Sequence, residues 1–266
     1  MSELVDEKVR AYEVAMDNLY MEWRKKRGHI DIEYGKKKYT FDVNHEDSFI
    51  TDGIVCPEEW FKKDNKFRPL FLLKEAYDTN GKGFDLIKEQ LATEDKLSGT
   101  WIYVTDWTWG LFNTTAKVIA DYSKSPSCLG KKEGYDKYNN EMLRKIAVIN
   151  CKKSGGKSKS KYEEILGYAD FDREELKREI EICDPTIIIC GYTATALEYI
   201  LKRDEDITRY KLRDEQGANP NLYYHMELNG HDVLVIDYYH PQNHYPALMR
   251  FYGLVGLYQM ALKSKH

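Results

Sequence analysis

The chain predicts an α/β protein of three layers, α/β/α, with a central, mostly parallel four-stranded sheet and an N-terminal helix and hairpin added to it. Three observations carry that expectation. Four short runs of apolar, largely β-branched residues, at 68–78, 146–150, 185–191 and 233–243, each end abruptly in polar side chains. Such runs, bounded by turn residues, read as strands buried on both faces. From Phe67 onward they alternate with stretches of helical periodicity, the pattern of βαβ units. Before that point the pattern differs: one long amphipathic stretch is followed by two short alternating ones.

Taken in order, residues 3–26 predict an amphipathic helix, because Val5, Val9, Tyr12, Met16, Leu19 and Trp23 step by four and three onto one stripe. Gly28 is placed to end it, since glycine tolerates the left-handed conformation of a helix C-cap. Residues 29–34 and 37–43 read as strands joined near Gly35-Lys36. No Pro/Gly/Ser linker follows, so residues 1–60 read as an extension packed on the core and residues 61–266 as the α/β domain. Within that domain the first strand is Leu70–Leu73, and 101–120 becomes helical in its later part. The second strand ends at Asn150. A helix spans Asp172–Cys183, with Asp172 as its N-cap and Leu176, Ile180 and Cys183 on one face. Thr186–Cys190 is the third strand, 193–201 a helix, 233–236 the fourth strand after a short hairpin around Asn229-Gly230, and 246–263 the closing helix. Segments 79–100 and 204–232 read as inserts.

At 266 residues, 42% apolar and 32% charged, the chain buries a sizeable core and is no disordered polyelectrolyte. Its apolar stretches are too short for a membrane span and its acidic start is no secretory leader, which predicts a cytoplasmic protein. Cysteines 56, 128, 151, 183 and 190 form no CxxC pair, an argument for reduced thiols and against a zinc or iron–sulfur site. The net charge of −4 conceals one basic patch, five lysines within 152–161. Gly155-Gly156-Lys157-Ser158 inside it is not a phosphate-binding P-loop, because Cys151 stands where the pattern needs glycine. The patch reads either as a solvated loop or as a cationic one in which Lys152, Lys153, Ser154 and Lys157 hold phosphates. The 21 tyrosines either fill the edge of the core or offer flat faces to bases.

Ligands of open α/β sheets bind outside the carboxyl ends of the strands. Three of the four ends deliver Glu75, Asn150 and His240. Glu75 is either a solvated surface group or a carboxylate that activates water or stabilises a developing cation. Asp78 competes for that role, and Tyr77 can pack on a planar ligand. Asn150 offers donor and acceptor together, which suits the edge of a base, or else caps the following turn. His240 is steadied by Pro241 and can donate to a leaving group.

In this order, Lys74-Glu75-Ala76-Tyr77, Asn150, Pro185–Gly191 and His240-Pro241-Gln242-Asn243 resemble the motifs of the uracil-DNA glycosylase superfamily, over roughly residues 67–260. Members that handle uracil often carry Gly-Gln-Asp-Pro-Tyr or Gly-Glu-Ala-Pro-Gly at the first motif; here Lys74 replaces the glycine and Tyr77 the proline. The spacing of the four cysteine ligands of the cluster-bearing branch is absent. The superfamily also contains bacterial anti-phage enzymes that remove glucosylated hydroxymethylcytosine. The resemblance implies hydrolysis of the base–sugar bond of a nucleotide flipped out of DNA, leaving an abasic site. It implies Glu75 or Asp78 beside the sugar cation and His240 donating to the departing base. Asn150, Tyr77 and Asn243 would contact that base, the lysines would hold phosphates, and no cofactor or metal is needed. A nucleic-acid-binding protein without catalysis, and a nucleoside or nucleotide hydrolase, remain rival readings on the same fold.

Overall fold

Runs rich in isoleucine and valine, with no polar face, must be covered on both sides, and the chain does this with helices. The structure is a computed structural model that describes residues 3–34, 36–78, 81–91, 99–129, 141–156, 159–201 and 222–264. Its strands are β1 (Arg27–Tyr34), β2 (Lys37–Asn44), β3 (Gly53–Ile54), β4 (Pro69–Tyr77), β5 (Ala147–Gly156), β6 (Ile187–Gly191), β7 (Tyr223–Leu228) and β8 (His231–Tyr238). Its helices are α1 (Glu3–Trp23), α2 (Pro57–Trp60), α3 (Gly99–Asn113), α4 (Pro126–Leu129), α5 (Tyr162–Phe171), α6 (Arg173–Cys183), α7 (Ala194–Leu201) and α8 (Ala247–Ser264).

The main sheet has six strands in the order β3-β5-β4-β6-β8-β7. The four predicted strands are its parallel centre, and β3 and β7 add antiparallel edges. Alternation along each strand sends side chains to opposite faces. Leu70, Leu72, Ile149, Ile188 and Val235 pack with α1, α5, α6 and α7. Phe71, Leu73, Val148, Ile189 and Ile236 pack with α3 and α8.

The predicted stripe of α1 is buried from Val5 to Trp23. Gly28 does not cap the helix but lies in β1, where a Cβ would come within 2.6 Å of the Phe171 ring. β1 and β2 form a separate two-stranded sheet. It seats on α5 at Gly167, where a Cβ would meet Phe41 at 2.7 Å and Ile30 at 2.8 Å. Residues 1–60 also supply β3 to the main sheet, and α1 shares one core with β4 and β5.

Three local expectations change. Helix α3 occupies the first part of 101–120 rather than the later part, because the Thr115 hydroxyl accepts from the Lys117 and Val118 amides and builds a turn. Asp172 occupies the expected N-cap position of α6, but its side chain caps no amide; the carboxylate takes His45 Nε2 at 2.8 Å and Lys26 at 3.4 Å instead. Strands β4 and β5 outrun their apolar cores, to Tyr77 and Gly156. Among the described residues no helix is long and apolar enough to cross a membrane.

Candidate functional site

The chain leaves β4 over the α3 face to reach β5, then returns over the α5 and α6 face to reach β6 on the other side of β4. The strand order therefore reverses at β4, and the crevice outside the carboxyl ends of β4 and β6 is where a ligand fits. Lys74, Glu75, Tyr192 and His240 gather around it.

Glu75 Oε2 accepts from Lys152 Nζ at 2.9 Å, and Glu164 of α5 approaches the same ammonium at 3.4 Å. Burial opposes the charge on Lys152, but the Glu75 carboxylate outweighs it and raises the lysine's pKa. Lys152 is thus held as an ammonium against Glu75. The glycines of β5 make it possible: a Cβ on Gly156 would sit 2.4 Å from Glu75, and one on Gly155 would sit 2.5 Å from Asp78 Cβ. Gly155-Gly156 is clearance for two acidic side chains, not a phosphate cradle.

His240 Nδ1 accepts the Gln242 backbone N–H at 3.2 Å, which leaves Nε2 as the N–H of the neutral ring. Burial, and then the Lys74 ammonium, push the His240 pKa down to about 4, so the ring is neutral at physiological pH. Lys74 in turn is lowered by burial and raised by Glu75, and its ammonium lies 5.7 Å from the Tyr192 ring centroid. One lysine is therefore electrostatically linked to both Glu75 and His240. The turn after His240 is pinned by Arg250, which donates to Pro241 O at 2.8 Å and Asn243 O at 3.0 Å.

Several predicted site residues do other work. Asn243 builds that turn: its Nδ2 donates to His240 O at 3.0 Å and its Oδ1 accepts from the Tyr245 amide at 2.9 Å. Asn150 is not at a strand mouth, because β5 runs on past it. It is 2% exposed, and its backbone N and Nδ2 both donate to Asp52 Oδ2, at 2.8 and 3.0 Å. Lys153 is fully buried, paired with Asp52 and, at 2.7 Å, with Glu179. Ser154 donates to the Tyr168 hydroxyl at 3.1 Å.

Thus Lys152, Lys153 and Ser154 belong to a strand rather than a phosphate-binding loop. Alternation along β5 turns Lys153 inward, onto the face of Ile149 and Cys151. Glu75 pairs with Lys152 but Tyr77 with Gly156, so β5 carries extra residues there. Lys157 lies outside the described residues. Asp78 accepts from the Gly81 and Gly83 amides at 2.9 and 3.0 Å and closes the loop after β4. Tyr77 is 60% exposed and open to a ligand.

Four residues that the strand-end pattern does not single out, Asp52, Glu179, Tyr192 and Asp237, also matter here. Asp237 had a local signal, an acid inside an apolar strand; burial, then Glu198, raise its pKa to about 6. Asp52 and Glu179 had none, because only the fold brings them to Lys153. Among the described residues no cluster of three or more His, Cys, Asp or Glu side chains can hold a metal ion. No protein-family model matches the chain, and no curated protein matches it.

Proposed function

We propose that the chain hydrolyses the glycosidic bond of a base extruded from DNA and leaves an abasic site. The observation that carries this reading is His240, a neutral imidazole whose Nε2 carries the proton, at the same edge of the sheet as the hydrogen-bonded Glu75–Lys152 pair. As a glycosidic bond breaks, the sugar becomes cation-like and the base anion-like. The Glu75 carboxylate, held in place by Lys152, stabilises the first charge and orients water. The His240 Nε2–H stabilises the second. Lys74 adds positive charge on the side of the departing base, and the exposed Tyr77 ring packs on the base itself. Lys74 and Tyr77 depart from the first motif of the members that handle uracil, which favours a modified base over plain uracil.

The test is abasic-site formation, read as strand cleavage after alkali. Uracil-containing, unmodified and glucosylated-hydroxymethylcytosine DNA are each treated with wild-type and Glu75→Gln protein. Cleavage of one modified DNA by wild type, slowed about a hundredfold or more in Glu75→Gln, is the expected result. Equal cleavage by both proteins removes Glu75 from the mechanism. The Lys152 ion pair favours a second reading, since it already satisfies the Glu75 carboxylate: a binding protein without turnover. DNA bound equally by both proteins and cut by neither selects that reading.

A further inference from the structure

Among the described residues five tyrosines are strongly exposed: Tyr34, Tyr77, Tyr192, Tyr239 and Tyr245. All belong to one edge of the molecule. Tyr77 and Tyr239 end or follow β4 and β8, and Tyr245 lies 5.2 Å from Tyr239. Tyr34, at the tip of the β1–β2 hairpin, reaches the same edge through Tyr162, with ring centroids 5.6 Å from Tyr34 to Tyr162 and 5.3 Å from Tyr162 to Tyr192. A clustered set of exposed rings marks a surface that meets a partner. Tyr192 also adopts φ of 63°, a conformation that a bulky side chain disfavours, and its N–H donates to Tyr238 O at 2.7 Å.

Charge identifies the partner. Lys36, Lys37 and Lys38 are exposed at the hairpin tip, and Lys37 lies cross-strand from Tyr34. Lys159 is exposed just before α5, and the Lys74 ammonium lies near the Tyr192 ring. A row of flat faces flanked by cations matches a single strand of nucleic acid, whose unpaired bases stack while its phosphates meet lysine. Paired bases are stacked within a duplex and are not offered to such a row.

We propose that Tyr34, Tyr162 and Tyr192, with the lysines of the β1–β2 tip, form a track for single-stranded DNA leading to the crevice at β4 and β6. The hairpin is then a strand holder rather than a cover for the sheet edge. This rests on the DNA reading above, and its test measures binding rather than cleavage, so the two fail separately.

The probe is a fluorescein-labelled single strand of about 20 nucleotides, long enough for one to several site sizes. It is compared by anisotropy with its duplex and with RNA of the same sequence. The single-stranded DNA binds more tightly than the duplex. Tyr34→Ala and Tyr192→Gly each weaken that binding about tenfold, and Tyr34→Phe, which keeps the ring, binds as wild type. Replacing Lys36, Lys37 and Lys38 together by serine lowers the salt dependence by about 0.7 for each phosphate no longer neutralised. Unchanged affinity in both tyrosine variants overturns the track, as does preference for duplex or for RNA. Matching circular-dichroism spectra of all variants secure the comparison.

Discussion

Lys153 has the charge of its neighbours in sequence and none of their access to solvent. Its ammonium is sealed between Asp52 and Glu179, with Tyr20 donating to Glu179. Two carboxylates facing one ammonium favour retention of a proton. Burial, and then Asp52, raise Glu179 above its ordinary 4.5, to about 8, against the opposing pull of Lys153. Lys153→Met leaves those carboxylates buried without their cation. It should cost about 3–5 kcal/mol in urea unfolding followed by circular dichroism. A loss within about 0.5 kcal/mol, the range of an ordinary surface change, would show that the charge is dispensable.

The same group sets a pH dependence. Between about 4.5 and about 8 the folded chain holds a proton on Glu179 that the unfolded chain has released, so this group's contribution to stability falls as pH rises through that window. Glu179→Gln should flatten that limb of the stability curve. His240 has the opposite sign. Its folded pKa of about 4 lies below the ordinary 6.5, so its contribution falls as pH drops from about 6.5 to about 4. An NMR titration of the His240 ring should show a midpoint near 4 that moves upward in Lys74→Met. An unmoved midpoint would uncouple the two residues. Glu75 and His240 were legible in sequence because each follows an apolar run. Asn150 and Lys153 were misplaced because the extension of β5 beyond its apolar run leaves no mark in composition.

At the scale of elements, β4 and β5 carry the site, and their close approach depends on glycine. An added Cβ at Gly156 would strike Glu75 at 2.4 Å. Gly156→Ala should therefore displace the carboxylate and lower kcat/KM on the responsive DNA about a hundredfold, the cost of a misplacement near 1 Å. Activity close to wild type would mean that Glu75 moves aside without consequence. Apolar patterning located where both strands begin but not where they end. Their last residues are polar and are kept in the sheet by pairing with a neighbour, which no local rule records. For the same reason Gly28 read as a cap: its role in β1 is to admit Phe171, a residue of α5.

At the scale of the whole molecule, α1 is part of the core rather than an accessory. Seven of its side chains are buried, and five of them, from Tyr12 to Trp23, join the cluster that contains Leu70, Leu72 and Ile149. At about 1.5 kcal/mol each, the seven contribute about 10 kcal/mol, comparable to the total stability of an ordinary domain. A chain beginning at Arg27 should therefore show no cooperative urea transition. A sharp transition in that truncated chain would return α1 to the role of an added layer.

The sequence by itself determined the α/β class, the order of the elements, the buried stripe of α1 and two of the polar residues at the sheet's carboxyl edge. Those features depend on residues within a few positions of one another, whose periodicity is visible in the chain. Only the tertiary structure decided the depth of Asn150 and Lys153, the neutral tautomer of His240 and the gathering of exposed tyrosines at one edge. Each of these is set by the length of a strand, by register or by a partner far along the chain, as Asp52 is from both Asn150 and Lys153. Burial and charge act through space, so they appear only once the strands are paired.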